Sequence, residues 1–111
     1  MKVVAQKYQN VVIEKDDRWE LYDIVLERIL HTAFKKEEKN YLKAIVGKWG
    51  FDEADFEINS YSDLVADWES LGYDSEEQMK AEAETKSKEI LLKELEVYQD
   101  KLDGILIRNS I

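Results

Sequence analysis

DRWELYDIVLERILHTA, residues 17–33, is the stretch whose secondary structure decides the fold. Its apolar side chains Trp19, Tyr22, Val25, Leu26, Ile29, Leu30 and Ala33 recur three or four residues apart, the spacing of one face of an α-helix. Asp17 is an N-cap residue type with Glu20 three places on, a pairing that satisfies the first helical donors reciprocally. The spacing predicts an amphipathic helix over about 18–36.

Downstream, Tyr41, Leu42, Ile45, Val46 and Trp49 repeat the pattern and stop at Gly50, predicting a second helix that folds back on the first through Lys35-Lys36-Glu37-Glu38-Lys39. Phe56-Glu57-Ile58 alternates like a half-buried strand, so 55–59 is read as a short strand. Ser60 and Asp63 form a capping pair, Leu64, Val65, Trp68 and Leu71 follow at helical spacing, and Gly72 occupies a C-cap position, which predicts a helix of about three turns. From Asp74 or Ser75 a run of strong helix formers continues to Gly104, roughly 29 residues and on the order of 43 Å long. Its second half carries the stripe Leu91, Leu95, Tyr98, Leu102 and Ile105, whereas 76–89 offers only Met79, Ala81 and Ala83 for burial. Upstream, Val3, Ala5, Val11 and Ile13 alternate with polar residues around Gln9-Asn10, suggesting one or two strands, and Ile105-Leu106-Ile107 is a further strand or the apolar end of the long helix. The expected fold is therefore α+β and predominantly helical: about four helices, including a long C-terminal one, with a small sheet of two or three short strands.

The chain has 111 residues, enough for one domain with a modest core, and its 37% charged residues exceed the roughly 25% of an average protein. It contains no Cys, so disulfides and thiolate metal sites are excluded. The N-terminal residues MKVVAQKYQNVVIEKDD lack the continuous apolar region of an export signal, and no stretch approaches the roughly 18 apolar residues of a membrane span; a cytoplasmic location is expected.

Charge is distributed unevenly. Residues 52–84 hold twelve acids against one base, Lys80, a net of −11, while 1–51 carries a net of +2 and 85–111 is balanced. Packing like charges so densely costs a few tenths of a kcal/mol per close helical pair, so stability does not explain it. A solvated face that maintains solubility accounts for such a run. So does a docking surface for a basic partner, in which carboxylates take the places of nucleic-acid phosphates. The expected partner-binding residues are Asp52, Glu53, Asp55, Glu57, Asp63, Asp67, Glu69, Tyr73, Asp74, Glu76 and Glu77, and the partner is a basic protein such as a nucleic-acid-binding nuclease. Direct nucleic-acid binding and membrane association are disfavoured by the same charge. In size, charge and lack of Cys the chain is similar to the small acidic proteins with which phages and mobile elements block DNA-targeting defence enzymes. That likeness implies an anti-restriction or anti-CRISPR-like mimic and assigns no residue roles.

Catalytic and cofactor chemistry finds no support. His31, the one histidine, has Glu27 four residues before it but no second His or Cys to build a zinc site and no placed nucleophile. The acids of DEADFEIN lack the ligand spacing and central Gly of a calcium loop, and Gly47, Gly50, Gly72 and Gly104 form no phosphate-binding motif. The expectation is a non-enzymatic protein without cofactor. Two alternatives are a toxin-neutralising partner and an assembly protein that dimerises through Leu91, Leu95, Tyr98 and Leu102.

Overall fold

The stretch at 17–33 forms two strands instead of a helix. In the computed structural model, which describes residues 1–37, 41–49 and 56–95, β3 (Arg18–Asp23) and β4 (Arg28–Phe34) are antiparallel partners. The helical stripe leaves out Leu21 and Ile24, and both are buried, at 1% and 6% exposure. On a helix they would point away from Trp19 and Leu30, toward water. As a hairpin the segment buries apolar side chains on both faces of a sheet. Asp23 makes its turn: Oδ1 accepts hydrogen bonds from the backbone N–H of Val25 and of Leu26, each at 2.9 Å, and Glu27 takes a left-handed φ of 54°.

Two strands precede this hairpin, β1 (Lys2–Lys7) and β2 (Asn10–Glu14), joined by the two-residue loop Tyr8–Gln9. After α1 (Tyr41–Trp49), a two-residue strand β5 (Phe56–Glu57) adds to the free edge of β1. The sheet is antiparallel with order β4-β3-β2-β1-β5. The last described element is α2 (Glu76–Leu95), whose N-terminus is held by Ser75, with Oγ accepting from the N–H of Gln78 at 3.1 Å.

Both faces of the sheet are covered, and by different means. On the first face, Ala5, Val12, Leu21, Leu30 and Ala33 pack with Leu42, Ile45 and Trp49 of α1 and with Ile90 and Leu91 of α2. On the second, Val3, Val11, Ile13, Tyr22 and Ile24 pack with Ile58, Leu71, Tyr73 and Met79. Because β2 is buried from both sides, its run Val11-Val12-Ile13 is apolar without alternation. α2 passes between the two faces at the end of the sheet that carries the Tyr8–Gln9 loop: Met79 is in one core, Ile90 and Leu91 in the other, and the small residues Ala83 and Ser87 lie buried between them.

The predominantly helical fold is thus corrected. The molecule is sheet-dominated α+β, with five strands and two helices among the described residues. The expected strands at the N-terminus and at 55–59, and the helix at Tyr41–Trp49, are present. The expected three-turn helix after Ser60 is replaced by a single 3-10 turn, Tyr61–Asp63, after which Leu64 becomes extended (φ −88°, ψ 110°). From there Leu64, Ala66 and Trp68 rest on the second core while Val65 and Asp67 point outward, a period of two that a helix cannot produce. Gly72 does act as a C-cap, with φ 83° and the N–H of Tyr73 bonded to the carbonyl of Trp68 at 2.9 Å, but it closes one turn only. The continuation of the long helix beyond Leu95 and the strand at 105–107 lie outside the described residues.

Candidate interaction surface

Residues 58–73 cover the second sheet face without a helix, so polar side chains must fix them. Tyr61 stacks on Tyr22 of β3, ring centroids 4.7 Å apart, and its hydroxyl donates to Oε1 of Glu20. Lys15 Nζ donates to the same hydroxyl at 2.7 Å and lies 3.1 Å from Glu20 Oε1, while Arg18 Nε reaches Glu20 Oε2 at 3.2 Å. The Glu20 side chain is only 4% exposed. Its burial pushes the carboxyl up, but the donors from Tyr61, Lys15 and Arg18 outweigh that and hold it below the usual carboxylate range. The Tyr61 hydroxyl is pushed up, first by burial and then by Glu20, and the Lys15 ammonium is raised, chiefly by its hydrogen bond to Tyr61.

Tyr73 anchors the other end of the cover. It is buried and donates to Oε1 of Gln9, whose Nε2 donates to Oδ2 of Asp23 and to the carbonyl of Ala83, both at 2.7 Å. Four parts of the chain meet at this one amide: the β1–β2 loop, the β3–β4 turn, the end of the cover and α2. Burial, then the charges of Asp23, Glu82 and Glu89, push the Tyr73 hydroxyl up to about 12. Tyr73, expected on the partner-binding surface, is therefore placed in the interior.

With Tyr61, Tyr73 and the apolar side chains other than Val65 turned inward, the acids of the cover and of the elements that flank it face water. Glu57, Asp67, Glu69, Asp74, Glu76 and Glu77 are all exposed. Of these six only Glu76 forms an ion pair among the described residues, with Lys80 at 3.3 Å. Asp63 has a local task, its Oδ2 accepting from the N–H of Asn59 at 2.8 Å and of Ser60 at 3.2 Å. Asp52, Glu53 and Asp55 lie outside the described residues. Val65, 76% exposed between Asp63 and Asp67, is a surface residue that sequence reasoning had assigned to a helix interior; the alternation Leu64, Ala66, Trp68 was the signal for it.

Of the expected dimer stripe, Leu91 is buried against the chain's own sheet at 3% exposure, Leu95 ends α2, and Tyr98 and Leu102 lie outside the described residues. His31 is half-buried on β4, opposite Leu21. Among the described residues no group of three or more His, Asp or Glu is arranged to hold a metal, and no helix is long and apolar enough to cross a membrane. Comparison of the chain with known protein families, curated proteins and solved structures finds no match.

Proposed function

We propose that the chain is a small, non-enzymatic interaction protein that uses its acidic cover to occupy the basic, nucleic-acid-binding surface of a protein partner, in the manner of an anti-restriction or anti-CRISPR-like mimic. One observation carries this reading. The cover is held to the sheet by Tyr61, Tyr73 and the apolar side chains, so Asp67 and Glu69 contribute nothing to its attachment, and neither they nor Asp74 and Glu77, which follow it in the chain, form an ion pair among the described residues. Unpaired acids of this density repel one another and are offset by a partner that brings Lys and Arg against them. Exposed Val65 supplies an apolar point of contact amid the charge. A nuclease that works on nucleic acid in the cytoplasm presents such a basic groove, and the reading places the protein in that compartment.

The test is capture from the native host at low and at high salt, with the wild type and with a variant carrying Asn or Gln at Asp67, Glu69, Asp74, Glu76 and Glu77. The wild type is expected to retain a nucleic-acid-binding protein at low salt and release it as ionic strength rises, and the variant to retain none while keeping its fold. Retention at full strength by the variant, or a partner with no affinity for DNA or RNA, overturns the reading.

A further inference from the structure

The sheet ends differently on its two sides. Beyond β1 lies β5, only two residues long, and a short end strand discourages further pairing. β4 ends the other side with seven residues, and among the described residues no strand lies beside its outer edge. Residues 28–36, RILHTAFKK, contain no Asp, Glu or Pro, so no breaker and no acid stands in the way of a neighbouring strand.

A bulge in β4 gathers two apolar side chains onto one face. Leu21 lies opposite His31 and Tyr22 opposite Ile29, so Leu30 is an extra residue. Without it Ile29 and Phe34, five apart, would point to opposite sides of the sheet. With it Ile29, Thr32 and Phe34 share the second face, since they lie opposite Tyr22, Glu20 and Arg18. Tyr61 pins the cover to β3, and among the described residues the buried second core includes none of β4. Ile29 and Phe34 are thereby left 43% and 39% exposed, while Leu30 and Ala33 root the strand in the first core.

We propose that this margin joins two copies of the chain, β4 against β4, into one continuous sheet. The strand's own side chains select that occupant. Antiparallel pairing about a two-fold axis at Thr32 sets Thr32 against Thr32 and each Ile29 against the Phe34 of the other copy, with the bulge of one strand opposite Ala33 of the other. Thr–Thr and β-branched–aromatic pairs are among those that stabilise adjacent strands. At both ends Arg28 approaches the other copy's Lys35, and each of these cations already has an acid of its own chain, Glu84 at 3.6 Å and Glu14 at 2.9 Å. An unrelated strand would have to supply matching side chains, whereas a second copy supplies them twice by symmetry. Such a contact uses the same patch on both copies and closes at two. It does not rest on the acidic cover and stands whether or not that surface has a partner.

The experiment is sedimentation equilibrium of the full chain over about a hundredfold range of concentration, at low and high salt. A monomer–dimer equilibrium is expected, and salt should strengthen it, because screening relieves the repulsion between two chains of net charge −9. That direction is opposite to the one expected for capture of a basic partner. The pair Ile29→Lys and Phe34→Lys, at exposed positions, is expected to weaken the dimer by about tenfold or more in a folded protein. Because the chain has no Cys, Thr32→Cys reports the axis directly: mild oxidation should link two copies through position 32, while Val65→Cys, on the cover, should give no link. A wild type that is monomeric throughout overturns the proposal. Hydrogen exchange then tells whether the outer amides of β4 are protected by a segment of the same chain or bare. A dimer that survives the lysine pair, or that links through Val65→Cys as readily as through Thr32→Cys, also overturns it. If the lysine pair does not fold, the cysteine cross-link decides.

Discussion

The two faces of the sheet are closed in contrasting ways. Helix α1 and the end of α2 cover the first with Leu42, Ile45, Trp49, Ile90 and Leu91, all apolar, because a helix satisfies its own backbone hydrogen bonds and has only to supply a greasy stripe. The segment 58–73 covers the second with isolated turns in place of an α-helix, and it is pinned by Tyr61 on Glu20 and Tyr73 on Gln9. An irregular cover therefore needs polar pins where a helical one needs none. It also turns Val65 and Asp67 outward between Leu64, Ala66 and Trp68, so that part of the acidic surface lies on this cover.

Four substitutions probe the contrast. The largest effect is expected from Gln9→Leu, which leaves the Tyr73 hydroxyl, an Asp23 oxygen and the Ala83 carbonyl without their shared partner; a loss of about 3–5 kcal/mol in urea unfolding is expected. A loss under about 1 kcal/mol would show that the second face does not depend on this pin. Leu42→Ala on the first face is expected to cost about 3 kcal/mol, through a cavity alone, with the same value at pH 5 and pH 8.

Glu20→Gln sharpens the electrostatic side and is expected to cost about 1–2 kcal/mol near neutrality. Because the native carboxyl sits below its unfolded value, its stabilisation is complete above the ordinary carboxyl range and disappears as pH falls through the lowered folded value. The variant should flatten the acid limb of a plot of Tm against pH; an unchanged acid limb would mean that other carboxylates control it. Tyr73 works in the opposite direction. Its hydroxyl is raised to about 12, so its contribution is whole below pH 10 and is lost as the pH climbs toward 12. The smallest effect is Gly72→Ala, about 1 kcal/mol, since φ 83° disfavours any side chain while the added Cβ would meet Tyr8 Cε1 at an ordinary 3.5 Å. Thermal melts resolve a change of that size.

Local chemistry was legible in the sequence where the chain ends or turns. The helix at Tyr41–Trp49, the caps at Ser75 and Gly72 and the strand around Phe56 follow from residue type and short-range spacing. What spacing could not resolve was 17–33, because a strand pair buried on both faces loses the alternation that identifies strands. Its turn, built on Asp23 with Val25 and Leu26, happens to continue a helical period. Leu21 and Ile24, the apolar residues off the stripe, were the discordant signal. The concentration of acids was visible in composition, but the inward turn of Tyr73 depends on Gln9, 64 residues away, and no short-range pattern reports it.

The path of α2 bears on how the molecule opens. Since Met79 is rooted in one core and Ile90 and Leu91 in the other, neither face can separate from the sheet very far without lifting the same 20-residue element. Motions that in a layered protein would release one face at a time are here tied into a single event. Amide hydrogens along β2 should accordingly exchange with solvent at one common rate set by global unfolding, with no faster class belonging to either side.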